Sequence, residues 1–278
     1  MTRINTVSND QRAKSHVVLV HCSASSANQW CALEDCLGHA FETTKIDLYG
    51  HGTGPSWAGK GPLTLDAEAR NIHAKLAPGP AGIHLVGHSY GGSVALKYAC
   101  NWPHRTASLT LIEPSSFHLL KGVEEYAPQF AEIRRIAGTV NEAVVCGDFR
   151  QGMRKFIDYW AGQGTWERLD DRHKERFSGL AVHVAHHFWS LMEERRSIDL
   201  LTGLDVPTLI LCGTNSPAPS RAITRLLADA IPASKHRTIA YANHMTAVTH
   251  PEKVNDLILE HIRQFLSAGS PIKEPVSA

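Results

Sequence analysis

The chain has 278 residues, 43% hydrophobic and 20% charged, which excludes disorder and leaves room for one large domain or two modest ones. A formal net charge of +1 with no basic run gives no support to a nucleic-acid partner. No uninterrupted apolar stretch reaches the ~18 residues that span a membrane.

Six cysteines (Cys22, Cys31, Cys36, Cys100, Cys146 and Cys212) contain no Cys-x-x-Cys pair, and Met1-Thr2-Arg3-Ile4-Asn5-Thr6 is no apolar signal segment. A reduced, cytoplasmic protein is therefore expected.

Residues 1–15 are polar and offer one edge strand at most. Val17-Val18-Leu19-Val20 reads as a buried parallel strand. It runs into the small-residue loop His21-Cys22-Ser23-Ala24-Ser25-Ser26 and a helical pattern around Trp30, Leu33 and Leu37. A second strand at Thr43–Ile46 is followed by Asp47-Leu48-Tyr49-Gly50-His51-Gly52-Thr53-Gly54-Pro55, whose glycines and proline mark a loop. Thr64 or Asp66 can cap a helix that runs through Leu76 and stops at Pro78-Gly79-Pro80.

Ile83-His84-Leu85-Val86-Gly87-His88-Ser89-Tyr90-Gly91-Gly92 comes next, an apolar run into Gly-x-Ser-x-Gly with a helical pattern continuing to Cys100. Strand, Gly-flanked serine and helix in that order are the signature of a nucleophile elbow. The reversal crowds the turn, and Gly87 and Gly91 remove the β-carbons that would block it. Ser89 is left with an exposed hydroxyl above a helix N-terminus. The strand Ala107–Ile112 follows and delivers Glu113-Pro114 at its C-terminal end. Strand, loop and helix recur at about thirty residues, the rhythm of a parallel sheet with right-handed crossovers.

That rhythm breaks from Ser115 to about Thr202, where helices are expected over 126–146, 149–160, 170–177 and 181–196. Aromatic residues concentrate there, most of them packing a local core and a minority shaping a pocket. Strands resume at Thr208–Cys212 and near His236–Ala240, around a helix at Ala222–Ala230. The loop Tyr241-Ala242-Asn243-His244-Met245 precedes a last amphipathic helix, Pro251–Leu266, and residues 269–278 read as a loose tail.

A serine hydroxyl needs a base within hydrogen-bond reach, and the base needs an acid to fix its tautomer. His244, on the loop after the last strand, is the expected base. His88 reads as a wall residue beside the serine, His51 as a loop tie and His250 as a cap. His183, His186 and His187 share a metal-like spacing, but with no Glu between them and no cysteine nearby they read as a pocket or core face. No metal and no cofactor are expected. An oxyanion would need two backbone donors: the Tyr90 N–H, and one from the loop after the first strand, where Ser23 is chosen over Cys22.

These motifs together resemble the α/β-hydrolase superfamily. The resemblance rests on His21-Cys22-Ser23, Asp47-Leu48-Tyr49-Gly50-His51-Gly52, Gly87-His88-Ser89-Tyr90-Gly91 and His244-Met245 before the final helix. It implies an α/β fold with a mostly parallel, doubly wound sheet of up to eight strands and a helical cap inserted after the sixth. Residues 1–113 and 204–278 would form the core, and residues 114–203 the cap.

Two departures stand out. The first loop has His21-Cys22 where the family commonly has His-Gly. Ser216, in Gly213-Thr214-Asn215-Ser216, stands where the family usually places its triad Asp. In some members, a group of haloalkane dehalogenases among them, the acid follows the strand after the nucleophile helix. Glu113 lies there, 24 residues beyond Ser89, so the triad is expected to be Ser89–His244–Glu113.

What the resemblance implies is acyl transfer through a serine, with a small or medium carboxylic ester, lactone or thioester as the small-molecule substrate. A carbon–carbon bond hydrolase of the meta-cleavage type, a cofactor-free lyase or cyclase, and a ligand-sensing homologue stay open as alternatives. Trp30, His88, Phe117, Trp160, Trp189 and Met245 are expected around a pocket for an apolar or aromatic group. Oligomeric state stays open.

Overall fold

The computed structural model describes residues 14–76 and 82–266. The stop at Pro78-Gly79-Pro80, the tail at 269–278 and residues 1–13 of the proposed edge strand lie outside them; Lys14 and Ser15 form no strand.

Among the described residues, six strands form one parallel sheet: β1 (His16–Val20), β2 (Glu42–Ile46), β3 (Ile83–His88), β4 (Thr106–Ile112), β5 (Thr208–Gly213) and β6 (Ser234–Ile239), in the order β2-β1-β3-β4-β5-β6. Buried strands need both faces covered, and the side-chain period of two sends alternate residues to opposite layers. Val18, Val20, Leu85, Leu109, Leu111 and Ile210 join one core, while Val17, Leu19, Val86, Ile112, Leu209 and Leu211 join the other. The second layer is closed by Leu33 and Leu37 of α1 (Cys31–Leu37) and by Val254, Ile258 and Ile262 of α10 (Pro251–Leu266). The first is closed by α2 (Leu65–Lys75), α3 (Tyr90–Asn101) and α9 (Ala218–Ala230). Each fully buried Leu, Ile or Val side chain contributes about 1.5–3 kcal/mol.

Thr64 caps α2, its side chain accepting from the Ala67 amide at 3.1 Å. Such a cap contributes about 1 kcal/mol. Helix α9 starts at Ala218, earlier than the expected Ala222, because Pro219 needs no N–H in a helix's first turn.

Between β4 and β5 the chain leaves the sheet for α4 (Ala127–Cys146), α5 (Phe149–Ala161), α6 (Thr165–Arg168), α7 (Asp171–Ser178) and α8 (Ala181–Met192). α4 closes on Gly147 at φ +74°, and α5 packs back against it; a β-carbon on Gly152 would lie 2.7 Å from the Ala143 Cβ. Helix α8 ends at Met192, short of the expected Arg196. The Glu194 carboxylate accepts the Arg195 and Arg196 amides at 2.9 and 3.0 Å and pairs with Lys97, drawing the chain out of the helix. Among the described residues, no helix is long and apolar enough to cross a membrane.

The strand order reverses between β1 and β3, and ligands in open α/β sheets bind outside the carboxyl ends at such a point.

Candidate active site

Ser89 sits between β3 and α3 at φ +54°, a left-handed conformation unfavourable for a side-chain-bearing residue and held here by its surroundings. The flanking glycines are required by close approach. A β-carbon on Gly91 would fall 2.3 Å from the His21 carbonyl oxygen, and one on Gly87 2.3 Å from the Gly91 carbonyl oxygen.

His244 comes from the loop after β6, with its Nε2 2.8 Å from Ser89 Oγ. Its Nδ1 lies 2.8 Å from Oε2 of Glu113, the residue immediately after β4, at φ +46°. The other carboxylate oxygen, Oε1, accepts the Gly213 N–H at 2.6 Å and the Ser216 hydroxyl. Burial alone would push the Glu113 carboxyl up; the hydrogen bond and charge of His244, with the donors Ser216 and Gly213, outweigh it and hold the group below the ordinary carboxylate value. The three residues are buried, Ser89 at 7%, His244 at 2% and Glu113 at 0% exposure. Ser115 Oγ lies 3.1 Å from Ser89 Oγ, a neighbour not foreseen from sequence.

The loop after β1 carries both candidates for the second oxyanion donor. The Cys22 N–H donates to Gln29 Oε1 at 3.1 Å and the Ala24 N–H to His51 Nε2 at 3.3 Å, so both are engaged. Ser23 stands between them, and Tyr90 opens α3, where the first-turn N–H groups have no intrahelical acceptor.

A cavity of about 370 Å³ opens beside Ser89 and His244. Ser23, Gln29, Phe156, Trp160, Leu169, Phe177 and Met245 are among its lining. A narrower recess next to it is bounded by Ser23, Ser89, Ser115, Phe117, Trp160, His187 and Phe188. Trp160, Phe117 and Met245 thus stand where the pocket was expected, the Trp160 ring 4.1 Å from that of His244.

The structure places three other expected wall residues away from both spaces. Trp30 is 2% exposed in the core layer with Leu33 and Leu37, because it belongs to their helical stripe. Trp189 faces outward on α8, one position out of phase with buried Phe188. His88 lies behind the base: its Nε2 donates to the His244 carbonyl at 2.9 Å and its Nδ1 accepts from Gln29 Nε2 at 3.0 Å. Burial, reinforced by His244, pushes His88 down to about 3, so it is a neutral strut. Gln29 carried no sequence signal, since its partners come from two other segments. Phe156 did carry one, lying one helical turn before Trp160 on the buried side of α5.

His51 is the loop tie expected of it, donating from Nδ1 to the Tyr49 carbonyl at 2.9 Å. Of the three α8 histidines, His187 is buried, His183 half-buried and His186 exposed; no metal-holding cluster of His, Cys, Asp or Glu occurs among the described residues.

Residues 15–251 match the alpha/beta hydrolase fold family. The pimeloyl-[acyl-carrier protein] methyl ester esterase of Aeromonas hydrophila is 27% identical over 251 residues, covering 88% of this chain and 94% of its own length. A putative 2-succinyl-6-hydroxy-2,4-cyclohexadiene-1-carboxylate synthase of Bacillus subtilis is 25% identical, over 90% of this chain and 91% of its own. Among solved structures, MGS-M2, an alpha/beta hydrolase enzyme from a Medee basin deep-sea metagenome library, superposes with a TM-score of 0.75 at 17% identity. It covers 91% of this chain, with 90% of its own length matched. With a match across the whole sheet and a serine, histidine and carboxylate joined at its carboxyl ends, the chain belongs to the alpha/beta hydrolase fold family.

Proposed function

We propose that this enzyme is a serine hydrolase of small or medium carboxylic esters, lactones and thioesters included, working through an acyl-enzyme on Ser89. One observation carries the reading: the unbroken chain from Ser89 Oγ through both His244 nitrogens to Glu113, with each of its hydrogen bonds 2.8 Å long. The general assignment as an ester hydrolase rests on the family match and on relatives named as esterases.

In the mechanism, His244 Nε2 takes the Ser89 proton as Oγ attacks the carbonyl carbon. Glu113 holds the Nδ1–H tautomer and stabilises the imidazolium that forms. The tetrahedral oxyanion is received by the N–H groups of Tyr90 and Ser23; losing one such donor lowers turnover by about a hundred- to a thousandfold. The imidazolium returns its proton to the leaving alkoxide, and water, activated by the same histidine, releases the acid. The helices at 114–203 act as a cap whose α5 and α7 residues Phe156, Trp160 and Phe177 receive the apolar or aromatic part of the substrate. A cytoplasmic setting belongs to the same reading, in keeping with six free thiols.

The test is a panel of p-nitrophenyl esters of increasing acyl length, with wild type beside Ser89→Ala. Turnover that disappears with Ser89→Ala, and a length optimum matched to the cavity, are expected. A folded wild type inactive on every ester would move the assignment to carbon–carbon bond cleavage or lyase chemistry.

A further inference from the structure

Helix α8 reaches the site through a buried imidazole that the mechanism above does not use. His187 is 1% exposed, and its Nδ1 lies 2.8 Å from Ser23 Oγ. Its ring stacks on the Tyr90 ring with centroids 3.6 Å apart and planes 7° apart. It stacks as well on the ring of His51, at 4.9 Å and 16°. His51 in turn accepts the Ala24 N–H. The same helix holds the far end of Tyr90, since the Ser190 hydroxyl lies 3.2 Å from the Tyr90 hydroxyl.

Ser23 and Tyr90 are the two residues whose amides are assigned to the oxyanion. They come from loops after different strands, and His187 touches both. We propose that His187 is a positioning residue for the oxyanion hole, fixing the Ser23 and Tyr90 amides relative to each other from the cap side.

The loop explains the need. His21-Cys22-Ser23-Ala24-Ser25-Ser26 is built of small residues and contains Ala24 at φ +57°. The amides on either side of Ser23 are tied to Gln29 and His51, so the Ser23 hydroxyl is the handle by which its own peptide is held. Oxyanion donors act through preorganisation, and a shift of a few tenths of an ångström weakens them where charge develops. Burial, with His51 adding to it, keeps His187 well below its ordinary value and hence neutral, so its action is geometric and adds no cation beside the oxyanion.

This proposal rests on the serine-hydrolase reading, and its test keeps the two apart. The full chain is assayed with its best p-nitrophenyl ester and with a trifluoromethyl ketone of the same acyl group, which forms a tetrahedral adduct on a serine. His187→Phe keeps the stack and loses the hydrogen bond, Ser23→Ala loses the same bond from the other side, and His187→Asn returns a polar atom near Nδ1. His187→Phe and Ser23→Ala are each expected to lower kcat about ten- to a hundredfold with KM nearly constant, and to weaken the ketone by a similar factor. The double variant should be no worse than the poorer single one, and His187→Asn should recover much of kcat. Additive losses, losses confined to KM, or kcat unchanged in both single variants would overturn the proposal. If His187→Phe does not fold, Ser23→Ala, on the cavity wall, decides the matter by its kcat and ketone affinity. A fluorophosphonate that labels wild type but not Ser89→Ala keeps the serine-hydrolase reading standing whatever the His187 variants do. A folded wild type neither labelled nor active on esters overturns both.

Discussion

The carboxyl ends of β4 and β5 lie side by side, paired in register from Leu109 with Thr208 to Ile112 with Leu211, and they contribute different things to one site. β4 leads directly into a carboxylate. β5 ends in donors, the Gly213 amide and the Ser216 hydroxyl, both on Glu113 Oε1. A carboxylate buried without donors is penalised by several kcal/mol, whereas one accepting two hydrogen bonds besides the histidine is kept ionised. An orienting acid thus has two separable requirements, reach to Nδ1 and compensation for burial.

Removing the charge from the β4 side should have the largest effect. Glu113→Gln is expected to lower kcat about a thousand- to ten-thousandfold, because an amide can present the wrong partner to Nδ1. Steady-state kinetics on the best ester, with circular dichroism to confirm folding, check it. Near-wild-type turnover would remove Glu113 from the triad. Next is an attempt to move the acid to the other strand end. Ser216→Asp, added to Glu113→Gln, should regain on the order of tenfold of the lost rate if reach alone is limiting. In the wild-type background the same substitution sets two carboxylates together, so one must hold a proton, and activity at neutral pH should fall. A smaller effect is expected from Ser216→Ala, which leaves the carboxylate one donor short: less than about tenfold in kcat and about 1–2 kcal/mol in stability by urea unfolding.

The same pair of strand ends shows what the sequence makes legible. Glu113 could be found because it follows the strand pattern Ala107–Ile112 at a fixed distance from Ser89, both local facts. Ser216 read as a gap where an acid was missing. That its hydroxyl aims at Glu113 depends on the pairing of β4 with β5, a contact between residues 103 positions apart. Phase explains the misplaced aromatics in the same way. Trp30 shares a helical stripe with Leu33 and Leu37, so periodicity pointed to the core while composition suggested a pocket. Trp189 and Phe188 are chain neighbours only about 100° apart around α8, and only packing tells which turns inward. Central strands were legible from contiguous apolar runs such as Val17–Val20 and Leu209–Cys212. The cavity was not, since its walls come from the first loop, α5, α7 and the His244 loop together.

The weakest effect is also the most specific to the division between β4 and β5. The Glu113 carboxyl titrates below its unfolded value, because the His244 interaction and the two β5 donors outweigh burial. The folded state therefore binds this proton less readily than the unfolded chain, so the stabilisation is present above the ordinary carboxylate pKa of 4.5 and is lost as pH falls through the folded value. Buried histidines give a trend in the same direction: His21 and His51, pushed down to about 4 chiefly by burial, stay neutral while the unfolded chain takes up protons below 6.5. That background is common to wild type and variants, so the informative quantity is the difference in Tm. For a chain of this size 1 kcal/mol moves Tm by about 2–4 °C, which sets the scale. The gap between wild type and Glu113→Gln should be widest above pH 4.5 and close as the solution is acidified. Ser216→Ala raises the folded-state pKa of Glu113, so with this variant in place of wild type the gap should be smaller above pH 4.5 and should be fully closed at a higher pH. Curves that superimpose would mean that the β5 end fills space beside the acid without helping to keep it charged.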